Sequence, residues 1–140
     1  MKTFSFVVPG KPAAQGSKRL LGKVMVESSK AVKPWRALCG SLCIDALPLG
    51  WYAIMGEPMR VRVDFTFKRP KHHLRTNGEL KPKAPDFPAG RVGDVDKLSR
   101  ALLDACTGIA WDDDSQVVDL EARKRYGPTS HTLITIRTLS

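Results

Sequence analysis

Asp94-Val95-Asp96 and, one helix-length further on, Asp112-Asp113-Asp114 gather five carboxylates into two short stretches of the chain. The rest of the sequence is basic, with 23 Lys and Arg against 14 Asp and Glu and a formal net charge of +9. Crowded like charges repel. A hard divalent cation relieves that repulsion, because Mg2+ and Mn2+ prefer carboxylate oxygens and keep waters at their remaining positions. Such an ion lowers the pKa of a bound water and offsets charge developing on phosphoryl oxygens. An acidic pocket within a basic surface is therefore the charge layout of an enzyme that grips a phosphate backbone and hydrolyses it.

Other chemistries find less support. Cys39, Cys43 and Cys106 include no Cys-x-x-Cys pair and have no His nearby, so they read as small apolar helix residues and exclude a disulfide framework or zinc site. A Ser or Cys nucleophile lacks a supporting His near the acidic groups. Asp112-Asp113-Asp114 has neither the alternating spacing nor the central Gly and closing Glu of a calcium loop. In the loop Gly10 to Arg19 the Ser precedes the Lys, so the phosphate-loop pattern fails and no nucleotide cofactor is expected. Its Lys18 and Arg19 remain candidates for touching a nucleic-acid backbone. His72 and His73 are adjacent, without ligand spacing, and read as solvent-exposed or phosphate-contacting.

The elements that must position the acids follow from periodicity. Phe4, Phe6 and Val8 alternate with Thr3, Ser5 and Val7 as a first strand. Pro34 suits a helix start, and Trp35, Leu38, Leu42 and Ala46 recur at helical spacing, predicting a helix near 34–47. Arg60 to Lys68 gives a strand with Val61, Val63, Phe65 and Phe67 on a buried face and a mostly basic, wet opposite face. From Arg69 to Gly93 the chain turns to Pro, Lys, Arg and Gly without periodicity, and reads as a structureless, flexible basic arm leading into the acidic motif. Lys68, Arg69, Lys71, Arg75 and Arg91 are its candidates for contacting nucleic acid.

Val95, Leu98, Leu102, Ala105 and Cys106 form an apolar stripe ended by Gly108, predicting a second helix over 95–107 with Asp94 at its N-cap. Inside a regular helix, side chains two residues apart diverge by about 200°. An extended backbone at Asp94 lets it converge with Asp96. Asp104, two turns on, reads as structural, and Arg100 as an Asp96 salt-bridge partner or a cation for a phosphoryl transition state. Val117 to Tyr126 and Thr132 to Leu139 are predicted as strands joined by Gly127-Pro128-Thr129-Ser130 in a hairpin. The expected fold is α+β, a single domain over 1–140 in the order β-α-β-α-β-β, with a mixed or antiparallel sheet of about four strands and two helices on one face. No apolar stretch reaches membrane-spanning length, and Pro9-Gly10 stops the first apolar run too early for a signal peptide, so a cytoplasmic protein is expected.

Gly93-Asp94-Val95-Asp96-Lys97-Leu98-Ser99-Arg100 with Trp111-Asp112-Asp113-Asp114-Ser115-Gln116-Val117-Val118 resembles the signature of RusA-type Holliday-junction resolvases, Asp-x-Asp-Asn-Leu-x-Lys followed by a helix and Asp-Asp-x-Gln-Val-Val. The early strand with Pro9-Gly10-Lys11-Pro12 and the basic arm are also similar. The resemblance implies a homodimeric, Mg2+- or Mn2+-dependent endonuclease of a bacterial or phage-infected cell that resolves four-way DNA junctions by paired nicks. It implies Asp94, Asp96 and Asp114 as metal ligands, with Asp113 an assistant. Lys97 stands where the family often has Asn, and Arg100 where it has a catalytic Lys. Arg keeps the charge but not a readily deprotonated ammonium, so electrostatic stabilisation by Arg100 or Lys97 is the expected role. A non-catalytic nucleic-acid-binding module, and a nuclease for flap, single-stranded or RNA substrates, are the alternatives.

Overall fold

The computed structural model describes residues 2–15, 18–21, 24–27, 30–51, 56–90 and 92–140, with the side chains of 18–21 and 24–27 left aside. The strands are β1 (Thr3–Pro9), β2 (Lys18–Leu21), β3 (Val24–Glu27), β4 (Met59–Lys68), β5 (Val117–Gly127) and β6 (His131–Thr138). Two helices join them, α1 (Val32–Ala46) and α2 (Val95–Cys106). The main sheet is mixed, in the order β1-β6-β4-β5. The expected order and α+β class hold, with one addition: β2 and β3 pair antiparallel in a separate two-stranded sheet. Each has only four residues, too few for alternation to register.

Alternation in the strands builds the core row by row. Phe4, Ile136 and Val61 align across β1, β6 and β4, as do Phe6, Ile134 and Val63, and all are buried. Fully burying a side chain of this kind contributes roughly 1.5–3 kcal/mol. The helices cover this face. On α1 the buried positions are Val32, Trp35, Cys39, Gly40 and Cys43, while Leu38 of the predicted stripe is partly exposed. The smaller residues face α2 because the helices approach closely: a Cβ on Gly40 would lie 3.3 Å from the Ala105 carbonyl. All three cysteines are buried, and burial pushes the Cys39 thiol up to about 12, so it stays protonated.

The expected hairpin of β5 and β6 does not form. Both flank β4, β5 parallel and β6 antiparallel to it. Cross-strand charge explains the choice, since β5 sets Asp119 against Arg60 at 2.8 Å, and Arg123 and Arg125 against Asp64 at 3.0 and 3.3 Å. The face of β4 predicted as basic is thus largely neutralised. To cross the end of β4 the chain must run close to it, and a Cβ on Gly127 would sit 2.6 Å from Thr66 Cγ2.

The segment read as structureless carries local order. Lys71–His73 forms a 3-10 turn, Leu74 bridges Leu80, and Lys81 N–H donates to the His73 carbonyl at 2.9 Å.

Candidate active site

Gly93 fixes the entry to α2. Its φ of +112° is a left-handed value that favours glycine, a Cβ there would lie 3.1 Å from Ala14 Cβ, and its carbonyl accepts from Lys124 Nζ at 2.9 Å. Asp94 follows at the N-cap with extended backbone, φ −75° and ψ 141°, as the sequence predicts. Its carboxylate makes no capping hydrogen bond. It lies instead 3.6 Å from Lys97 Nζ and is exposed. Asp96 is exposed in the first turn, and among the described residues it makes no ion pair, so the Asp96–Arg100 bridge open to residues four apart does not form. Asp96, which neither caps nor pairs among the described residues, is left available for a ligand.

The second acidic segment is built by Gln116. Its Oε1 accepts from the N–H groups of Asp112 and Asp113 at 2.9 and 3.1 Å, while Nε2 donates to the Glu57 carbonyl at 3.0 Å. Asp113 Oδ1 in turn accepts from Ser115 N–H at 2.9 Å, completing a capping box over the 3-10 turn Asp114–Gln116. That backbone hydrogen bond holds the Asp113 carboxyl below the ordinary range. Asp114 moves the other way. Partial loss of water raises it first, followed by contact with Asp113 and the charges of Asp113 and Asp104. Neighbouring acids therefore have separate duties, Asp113 as a turn-maker and Asp114 as the more readily protonated group.

Asp104 is held in place from two sides. Gln15 Nε2 donates to Asp104 Oδ2, Arg36 Nη1 donates to Gln15 Oε1 at 2.6 Å, and Arg36 lies 3.9 Å from Asp104. Gln15 N–H also donates to the Lys97 carbonyl at 3.1 Å, so the loop after β1 is fastened to α2. The sequence offered one signal for Asp104: it follows Asp96 and Arg100 at four-residue steps, on one face of the helix. Gln15 offered none.

These donors have the hard, anionic oxygens a divalent cation takes. Yet among the described residues no group of three or more His, Cys, Asp or Glu side chains is arranged to hold a metal ion. Asp94 and Asp96 share the start of α2, Asp113 and Asp114 share a turn, and the fold does not assemble Asp94, Asp96 and Asp114 into a ready-made ligand set. A groove beside the turn is lined by Gly56, Pro58, Asp112, Asp113, Ser115 and Gln116 among others.

The basic candidates separate by environment. Lys68, Lys71 and Arg75 are exposed. The Arg69 guanidinium is committed, stacked 4.6 Å from the Tyr126 ring centre and donating to the Pro85 carbonyl at 2.7 Å. Lys18 and Arg19 lie on β2, their side chains outside the description, and Arg91 falls outside the described residues.

A family model described as endodeoxyribonuclease RusA matches residues 9–137. The uncharacterized protein YqaN of Bacillus subtilis (strain 168) is 31% identical over 150 residues, an alignment covering 100% of this chain and 99% of the relative.

Proposed function

The chain belongs to the RusA endodeoxyribonuclease family, and on that premise we propose that it is a Mg2+- or Mn2+-dependent endonuclease that resolves four-way DNA junctions by paired phosphodiester hydrolysis. Asp94, Asp96 and Asp114 would hold the ion. When bound, it would supply a lowered pKa for an attacking water and a counter-charge for the phosphoryl oxygens. The residues of the chain do the rest. Arg100, exposed and without an ion pair among the described residues, and Lys97, beside Asp94, offset charge developing on the phosphate. Gln116 and Gly93 hold the backbone of the two acidic segments in place. The observation that carries this reading is the uncapped Asp94: a carboxylate at the N-cap of a helix, left out of the bond it is best placed to make.

The ungathered carboxylates favour a second reading, a DNA-binding module without catalysis. One experiment separates the two. Purified protein and its Asp94→Asn variant are incubated with synthetic junction, fork, flap, duplex and RNA substrates across a Mg2+ and Mn2+ series. Metal-dependent junction cleavage, lost by at least about a hundredfold in the variant, supports the enzyme, since even substituting a residue that only hydrogen-bonds to a metal ligand costs roughly 10–100-fold. Salt-dependent binding without cleavage at any metal concentration selects the module.

A further inference from the structure

The sheet face that looked basic in sequence is paired off, so the free positive charge of the described residues must be sought elsewhere. The strongest concentration lies in the arm. The Lys71–His73 turn and the segment from Lys81 to Pro85 face each other across a cleft lined by His72, His73, Lys81, Lys83, Ala84 and Pro85. Among the described residues no carboxylate lines it. Lys81, Lys83 and His72 are exposed, and among the described residues no ion pair engages either lysine.

The cleft is built rather than incidental. Lys81 N–H donates to the His73 carbonyl, Ala84 N–H donates to the Lys81 carbonyl at 3.0 Å, and Arg69 ties Pro85 to the ring of Tyr126 on β5. Buried His73 forms its floor, edge-on to Tyr126 at 5.3 Å and to His72 at 4.6 Å. Its pKa is lowered first by burial and then by the charges of His72, Arg69 and Lys81, the mark of a positive field without a counter-charge.

We propose that this cleft seats a DNA backbone phosphate, with Lys81 and Lys83 as its cationic walls and His72 as a further donor. A phosphate fits the chemistry because lysine binds it as a compact point charge, and the two lysines of one segment lie across the cleft from the ring of His72. Arg69 acts only as a positioning residue, fixing the arm against β5. The proposal rests on the DNA-acting reading above and adds to it residues outside the acidic site.

The test is junction binding without divalent metal, followed by fluorescence anisotropy across a salt series, for the parental protein and the Lys81→Gln/Lys83→Gln pair. A Lys30→Gln/Lys33→Gln pair at the start of α1 controls for lost charge alone. Losing the one phosphate held in the cleft lowers the slope of log affinity against log salt by about 0.9. Over a fourfold rise in salt, parental affinity should then fall about 3.5-fold more than that of the cleft variant. A control pair that leaves the slope near the parental value supports the cleft. Parental binding with an unchanged slope in the cleft variant overturns this inference alone, as does an equal drop in the control. No junction binding by the parental protein overturns the functional reading along with it.

Discussion

Asp113 and Asp114 are neighbours in sequence, yet their surroundings push their carboxyl groups in opposite directions, and that difference makes stability predictions. Asp114 has a raised pKa in the fold, so its ionised form is disfavoured there and costs stability above the folded pKa. Asp114→Asn should raise the melting temperature at pH 7 and lose that advantage at pH 3, while junction cleavage disappears. Such a trade is expected where an acid is kept for function. Asp113 has a lowered pKa, so its contribution is present above the unfolded value of 3.8 and is lost as pH falls through the folded pKa. Asp113→Ala should lower the melting temperature at pH 7, with the deficit closing in acid. Thermal melts over pH 2.5–7 check both, and a gain for Asp114→Asn that persists at pH 3 would show that the shift has been assigned to the wrong group. At this scale the sequence displayed the acids and the N-cap place of Asp94, because both are matters of spacing. It hid the divided duties of Asp113 and Asp114, which depend on where the Ser115 N–H and the Gln116 amide come to lie.

Most elements were legible because their residues face water on one side only. Alternation located β1 and β4, the turn residues Gly127-Pro128-Thr129-Ser130 set β5 and β6 apart, and apolar stripes located both helices to within about two residues. Strand order was not legible. Linkage by a four-residue turn suggested that β5 and β6 pair, whereas the ion pairs of β5 with β4 are visible only once Asp64, Arg60, Asp119 and Arg123 are set in register. The crossing that results makes Gly127 necessary, and Gly127→Ala should destabilise the protein by an amount set by the Thr66 methyl. In a double-mutant cycle read by urea unfolding, the alanine should cost less in a Thr66→Ser background, with a coupling of about 0.5–3 kcal/mol. Additive effects would mean that the close approach is not the constraint. Gly93→Ala is the matching test at the entry to α2. Its left-handed φ and the nearby Ala14 predict a loss of about 1–3 kcal/mol, with cleavage falling further than stability because Asp94 and Asp96 are displaced together.

For the whole molecule, the net charge of +9 is less informative than its distribution. Cross-strand pairs spend much of the arginine on the open sheet face, and the arm retains lysines that have no ion pair among the described residues. A four-way junction has two symmetric cutting points, and one copy of this chain supplies one set of Asp94, Asp96 and Asp114. A two-fold homodimer is the simplest assembly that brings two such sets to one junction. On a supercoiled plasmid carrying an extruded cruciform, a dimer that cuts twice before dissociating yields linear product, since a single nick releases the supercoiling that sustains the cruciform. Premixing the parental protein with excess Asp94→Asn variant, under conditions that allow subunits to exchange, should therefore shift the product from linear to nicked circles. Analytical ultracentrifugation of the free protein should report twice the 15.5 kDa chain mass. If inactive subunits slow cleavage but leave the ratio of linear to nicked product unchanged, the two cuts are made by independent monomers, and the paired active sites must be abandoned.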